Sequence, residues 1–354
     1  MYIKCSLVTQ IICDVIEIKL DKIFCYLRGI KIVIFKMNSL GWTIIFKTGC
    51  WCAKENININ GTRYIVKERL AEGGFSLIDL VENSITKKSY ALKRISCHSI
   101  DDQNIALREI EICKKVNSKN VIKVIDYMLK GTADIVLNTT SQLYIVLPYY
   151  KNGSLADSLT ARSKTKDYMN ESQILNIFLG TCEGVKALHE AKPEPLAHRD
   201  LKTANICLSD SFEAVLVDLG SATEARVQIC GQQDAQRLQD LAEERCSIVY
   251  RAPELFSVQS YCTIDERTDI WSLGCVLYAM CFFKCPFDIV YEKGDSVALA
   301  VLSGNINFPD DSIYSQDMQD LILYMMRLNP MERPYIYSVI EKAQDALSKL
   351  ENRL

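Results

Sequence analysis

The chain has 354 residues, 49% of them hydrophobic and 24% charged, with a net charge of −3. That is ordinary globular composition with room for one large or two medium domains, and the slight negative balance gives no reason to expect nucleic-acid binding. Fifteen cysteines beside three histidines (His98, His189, His198) suggest neither a disulfide framework nor a zinc site, because the count is odd, the spacings are scattered and no C-x-x-C pair occurs. Free thiols in a reducing compartment are expected.

The first 48 residues contain no proline and mix apolar residues with lysine. Asp14 and Glu17 spoil a signal-peptide core. Arg28, Lys31 and Lys36 interrupt the apolar run from Ile23 to Phe46, each costing roughly 2.5–3.5 kcal/mol at a bilayer centre. From Tyr64 onward, apolar runs bounded by turn residues predict strands near 64–71, 77–83, 89–95, 121–129 and 143–148, with one helix over 102–116. After Gly153 the periodicity turns helical, over 154–160, 171–190, 267–283, 295–303, 315–327 and 336–350. Asn170, three residues before Gln173, starts the first long helix. A strand-rich part followed by a helix-rich part predicts two lobes, 64–150 and 151–349. The extension 1–63 is expected to be disordered or the product of a mis-assigned exon.

Several segments fit phosphoryl transfer, which needs a triphosphate, a metal and a hydroxyl held in line. Leu70-Ala71-Glu72-Gly73-Gly74-Phe75-Ser76-Leu77-Ile78 joins two predicted strands. It reads either as a phosphate-covering loop or as a plain β-turn, since of G-x-G-x-x-G only Gly73 survives, with Ala71 and Ser76 at the other places. Tyr90-Ala91-Leu92-Lys93 supplies a strand lysine for the α- and β-phosphates. Glu109 is its expected ion-pair partner, and Glu111 competes from another helix face. His198-Arg199-Asp200-Leu201-Lys202-Thr203-Ala204-Asn205 matches H-R-D-L-x-x-x-N at every fixed position. Asp200 is expected to accept or orient the substrate hydroxyl proton, Lys202 to steady the γ-phosphate and Asn205 to bind Mg²⁺. Asp218-Leu219-Gly220 stands in the place of D-F-G, with Asp218 expected to hold the Mg²⁺ that bridges the phosphates, the one bound by Asn205 being the second. Ala252-Pro253-Glu254 closes the segment that follows. Glu254 is expected to pair with Arg333, and Asp269 to anchor the backbone around Asp200.

With these motifs in place, the chain from about Tyr64 to Lys349 resembles the eukaryotic protein kinases. The resemblance implies a bilobal α+β fold, with a five-stranded N-lobe carrying one helix and a helical C-lobe. It also implies ATP and Mg²⁺ as cofactors and protein substrates with Ser/Thr acceptors; Lys202 favours serine/threonine over tyrosine. Gly73-Gly74-Phe75-Ser76, Arg251-Ala252-Pro253-Glu254-Leu255-Phe256-Ser257-Val258-Gln259-Ser260, Ile264-Asp265-Glu266-Arg267-Thr268-Asp269 and Lys293-Gly294-Asp295-Ser296-Val297-Ala298-Leu299-Ala300 are similar to the Numb-associated kinase family. That likeness implies autophosphorylation and a lipid-anchored enzyme on the cytoplasmic face of Golgi and secretory membranes. Matched to the kinase pattern, the nucleotide pocket takes in Leu70, Ala71, Gly73, Gly74, Phe75, Ser76, Ile78, Ala91, Lys93, Leu147, Pro148, Tyr150 and Cys207. Leu147 is the gatekeeper, the carbonyl of Pro148 and the N–H of Tyr150 meet the adenine edge, and Cys207 forms its apolar floor. A lipid-anchored scaffold without turnover is the alternative; a small-molecule kinase is disfavoured by Lys202 and Ala252-Pro253-Glu254.

Two departures from the family stand out, besides a surface bulge expected at Pro193-Glu194-Pro195. The segment from Asp218 to Glu254 spans 37 residues and has no Ser, Thr or Tyr between Thr223 and Ser247. Helix formers fill 232–246 instead, with Ala235, Leu238, Leu241 and Ala242 at helical spacing. A helix in place of a phosphate is expected to order the segment, with Glu243 or Glu244 facing Arg199 and Ser247 near Asp200. Tyr250 and Ser247 remain candidate autophosphorylation sites. The second departure is Gly49-Cys50-Trp51-Cys52, which carries family-like acylation residues behind Thr48 where Met is expected. If residues 1–48 are a mis-assigned exon, the favoured reading, Gly49 is myristoylated and Cys50 or Cys52 palmitoylated. If the extension is real, Gly49 is internal and the enzyme is cytosolic.

Overall fold

The computed structural model describes residues 35–38, 41–44, 55–73 and 76–352. Phe35–Asn38 (β1) and Gly41–Ile44 (β2) pair antiparallel. The candidate acylation residues Gly49, Cys50 and Cys52, together with Gly74 and Phe75, lie outside the described residues.

The first lobe is an antiparallel sheet of six strands. These are Asn56–Ile59 (β3), Thr62–Glu72 (β4), Ser76–Asn83 (β5), Ser89–Cys97 (β6), Asp126–Lys130 (β7) and Ser141–Pro148 (β8), in the order β3-β4-β5-β6-β8-β7. The five-strand expectation is thus corrected by one, and the sheet begins at Asn56, ahead of the boundary expected at 64. The missed signal is Asn60-Gly61. With φ of 46° and 85° the pair makes the two-residue turn that Asn-Gly favours between hairpin strands. Asn60 Nδ2 then donates to Asp126 Oδ1 at 2.8 Å and to the Tyr127 carbonyl at 3.0 Å, tying the first strand to the last. Expected strand 121–129 starts only at Asp126. Asn120 N–H instead meets Ser118, and Ile122 N–H meets the Leu216 carbonyl in the second lobe.

Helix Ile100–Lys115 (α1) packs behind the sheet. Ser99 and Asp102 form a reciprocal capping box at its start, and Ala106, Glu109, Ile110 and Cys113 turn inward. A separate core of Cys97, Ala106, Ile110, Leu143 and Ile145 joins it to β6 and β8.

The second lobe is helical: Leu155–Thr165 (α2), Glu171–His189 (α3), Gln232–Arg245 (α4), Arg267–Phe282 (α5), Asp288–Glu292 (α6), Val297–Ser303 (α7), Gln316–Met325 (α8) and Ile336–Glu351 (α9). The predicted cap at Asn170 is present, with Gln173 returning the bond to its backbone N–H. Ile174, Phe178, Cys182 and Val185 form a fully buried stripe on α3, each large apolar side chain contributing about 1.5–3 kcal/mol. Gly184 lets α3 lie flush against the chain below, for a Cβ there would stand 2.7 Å from the Asn120 carbonyl. Nearly all of α5 is buried, which is why its sequence shows no polar face. Short strand pairs complete the lobe: Leu196–Ala197 (β9) with Thr223–Glu224 (β12), Ile206–Leu208 (β10) with Ala214–Leu216 (β11), and Val227–Cys230 (β13) with Tyr261–Ile264 (β14). Pro193 and Glu194 are exposed, as a surface bulge requires.

Candidate active site

The loop after β9 carries His198, Arg199 and Asp200. Its backbone is held from beneath by Asp269, which is 1% exposed at the start of α5. Asp269 accepts from the N–H of His198 at 2.7 Å and of Arg199 at 3.0 Å, and meets His189 Nε2 at 3.0 Å. Burial pushes its carboxyl up, but the His189 contact and the Arg199 amide outweigh burial and leave it below the usual aspartate range. Arg199 adopts φ +65°, a left-handed conformation that side chains resist. The two amide bonds to Asp269 hold that turn, and Asp200 projects forward from it.

Asp200 sits among donors. Lys202 Nζ reaches its Oδ2 at 2.8 Å, Asn205 Nδ2 donates to the same oxygen at 3.1 Å and to the Asp200 carbonyl at 2.9 Å, and the Ser247 N–H donates to Oδ1 at 2.9 Å. Lys202 also donates to Ser247 Oγ at 2.8 Å. The expected place of Ser247 beside Asp200 is therefore what the structure shows.

Across the cleft, the sheet register puts Ala71 opposite Ile78, Ile78 opposite Lys93 and Lys93 opposite Ile145. Directly paired residues share a face, so these four form one row, with Ala91 and Leu147 in the next. A register shift between Arg69 and Ala71 leaves Leu70 as the extra residue and re-aims it. Gly73 N–H meets the Ser76 carbonyl at 2.8 Å, closing the turn on either side of Gly74 and Phe75. Lys93 Nζ lies 2.8 and 2.9 Å from the two Glu109 oxygens and 2.7 Å from Asp218 Oδ1. Glu111 takes no part. Burial alone pulls the Lys93 ammonium down, but the two carboxylates reverse that and hold it above an ordinary lysine. Burial leaves Glu109 above the usual glutamate range despite Lys93, whereas Lys93 holds Asp218 below the usual aspartate range. Asp218 also has a left-handed φ of +59°. Tyr90 pairs with Pro148, Cys207 lies on β10, and a bridge joins Cys207 to Ser154 at the start of α2. Burial pushes the Cys207 thiol up to about 11, in keeping with a small apolar surface.

The protein kinase domain family matches residues 64–343. The chain belongs to the protein kinase family. Among curated proteins it is similar to serine/threonine-protein kinase 16 of Rattus norvegicus, 43% identical over 81% of this chain and 91% of that protein. It is also similar to a probable serine/threonine-protein kinase of Dictyostelium discoideum, 33% identical over 83% of this chain and 96% of that protein. Serine/threonine-protein kinase ENV7 of Saccharomyces cerevisiae is 29% identical over 85% and 97%. These relatives, with the kinase domain, make the chain an enzyme of the serine/threonine class, and its fold is the bilobal α+β kinase fold.

In this kinase the activation segment holds a real helix: α4 covers 14 residues, with Ala235 and Ala242 buried beneath it. Its end is fixed where the Ser221 hydroxyl donates to the Arg245 carbonyl at 3.1 Å. The closing ion pair is also as expected, Arg333 Nη1 and Nη2 lying 2.8 and 3.0 Å from the Glu254 oxygens. One expectation fails. Neither Glu243 nor Glu244 faces Arg199, whose guanidinium donates to Thr268 Oγ1 at 3.1 Å and the Ala225 carbonyl at 2.8 Å. Both glutamates are exposed, because the apolar stripe of α4 claims the inner face. Sequence reasoning missed His189 under Asp269, for which no local pattern exists. It also missed the Thr203 contact with Tyr250 Oη at 3.2 Å, which burial of the Tyr250 phenol accompanies. No helix among the described residues is long and apolar enough to cross a membrane.

Proposed function

We propose that this kinase transfers the γ-phosphoryl group of ATP to serine and threonine hydroxyls of proteins and phosphorylates itself. The observation that carries the reading is the junction at Asp200. One carboxylate oxygen is engaged by Lys202 and Asn205 and the other by the Ser247 amide, so the side chain is fixed facing the cleft before substrate arrives. An incoming hydroxyl would donate its proton to Asp200, which orients the oxygen for in-line attack. Lys202 would swing from Asp200 to the γ-phosphate as negative charge gathers there. Lys93, held by Glu109, would take the α- and β-phosphates. The adenine would lie between Ala91 and Cys207, against Leu147, with its edge on the Pro148 carbonyl and Tyr150 N–H.

The donor set also suits Mg²⁺. Asp218 offers carboxylate oxygens, and Asn205 spends its amide nitrogen on Asp200, which leaves its oxygen for a hard cation. Bound there, Mg²⁺ would offset phosphate charge. Acylation of Gly49 and Cys50 or Cys52 would hold the enzyme on the cytoplasmic face of Golgi and secretory membranes; the glycine followed by two nearby cysteines in Gly49-Cys50-Trp51-Cys52 supports that reading. A native N-terminal peptide spanning Lys47 and Gly49 in mass spectrometry would exclude it.

A lipid-anchored scaffold is the competing function. The test is transfer of labelled phosphate from ATP to myelin basic protein by the wild type and by Lys93→Met. Loss of transfer in the variant is expected, with label on serine and threonine in the wild type. An inactive wild type that still binds ATP would favour the scaffold.

A further inference from the structure

Between α1, the turn after Asp218 and α4 lies a cavity of about 140 Å³. Its walls are mostly carbon: Ile105 from α1, Leu219 from the turn, Leu238 and Leu241 from α4, and Leu255. Three arginines, Arg108, Arg199 and Arg245, line it as well. Two have only weak counter-charges. Arg108 is 3.9 Å from exposed Glu224, and Arg245 is 3.6 Å from its chain neighbour Glu244. Arg199 is 8% exposed, and its Nε has no hydrogen-bond partner. Its two bonds go to neutral oxygens, and among the described residues no carboxylate pairs with it. The one carboxylate on the wall, Glu109, is already taken by Lys93.

A buried guanidinium without an anion is costly, and an anion placed beside it is correspondingly favoured. Apolar walls ask for carbon, and roughly 150 Å³ of apolar cavity is enough to take up one benzene ring. We propose that this cavity binds aromatic monocarboxylates, the ring between the leucines and the carboxylate towards the arginines. The proposal concerns a second site, which shares only Glu109 with the residues assigned to phosphoryl transfer, and its test needs no phosphoryl transfer. The cavity wall includes Glu109 and the turn after Asp218, and the Lys93–Glu109 pair is formed around it. A ligand seated here binds that arrangement and stabilises it by mass action.

Calorimetric titration of the full chain with phenylacetate tests the site directly. Two comparison ligands accompany it: phenylacetamide, which keeps the ring without the charge, and inorganic phosphate, which keeps the charge without the ring. Saturable one-to-one binding of phenylacetate is expected, with a raised Tm and at least roughly tenfold weaker binding of both comparison ligands. Leu238→Trp, which fills the cavity, and Arg245→Gln, which removes a partly buried charge, should each weaken phenylacetate about tenfold. Arg245→Gln lies on the rim and carries the test alone if Leu238→Trp disturbs α4. No saturation up to about 10 mM, far beyond any useful affinity, would overturn the site. So would equal binding of phenylacetamide or phosphate, or indifference to Arg245→Gln.

Discussion

At the scale of single residues, the catalytic loop works by restraint. Asp200 has both oxygens engaged, and the loop that carries it hangs from Asp269 by two amide hydrogen bonds. Asp200→Asn should keep the fold, since Asn has the same shape and its single side-chain oxygen still accepts from the Ser247 amide, yet lower kcat by roughly 10²–10⁴-fold. Circular dichroism and steady-state kinetics check the two halves. Asp269 gives a pH prediction. Its folded carboxyl lies below the ordinary value, so its stabilisation is complete above about pH 4, the ordinary aspartate pKa, and is lost as pH falls below that. Between about pH 5 and pH 3, Asp269→Asn should therefore show a flatter fall of Tm than the wild type; an equal slope would remove Asp269 from the account. Cys207 offers a third check. With its thiol raised to about 11 and half-buried, it should alkylate with iodoacetamide far more slowly at neutral pH than exposed Cys230, and faster as pH rises. The pairing of Lys93 with Glu109 and Asp218, and of Asp200 with Asn205, was legible from spacing, because all five residues fall in fixed motifs. The left-handed φ of Arg199 and Asp218 was not, since neither is a glycine and nothing local signals the turn.

At the scale of elements, α4 fills the stretch between Thr223 and Ser247, where the sequence offers no hydroxyl to carry a phosphate. Its helix formers and buried alanines at 235 and 242 were readable in the sequence, and the helix is present. What α4 faces was not readable. Glu243 and Glu244 stand outside because Ala235 and Ala242 face inward, and helical spacing fixes which residues share a face but not which neighbour that face meets. Arg237 is exposed on α4, so Arg237→Pro tests the helix and little else. Proline in a helix interior costs about 3 kcal/mol, equivalent to roughly a hundredfold in the population of the ordered segment. The variant should lose activity while its global unfolding stays cooperative; unchanged kcat would show that α4 is dispensable. The sixth strand teaches a similar lesson. Asn60-Gly61 is a strong turn signal, but the polar alternation of Asn56–Ile59 hides an edge strand whose asparagines face outward.

At the scale of the whole molecule, two charge clusters bind distant parts. Lys93 joins the sheet, α1 and the Asp218 turn, and Arg333, wholly buried, joins the end of the activation segment to the last helices. Glu254→Ala strands that guanidinium and should destabilise the fold by roughly 3–5 kcal/mol, read as a lower urea midpoint. The two-lobed plan was visible in the sequence because strand and helix periodicities separate cleanly at Gly153; the contact of Ile122 with β11 across that division was not, since no periodicity reports a long-range pairing. We propose that α4, and not a phosphate, orders the activation segment around these groups. Phosphatase-treated wild type, assayed for transfer of labelled phosphate to myelin basic protein beside Asp200→Asn, tests it most directly. Retained activity in the treated enzyme, with label on serine and threonine and almost none from the variant, is the predicted result. Activity abolished by the phosphatase, or undiminished in Asp200→Asn, would contradict it.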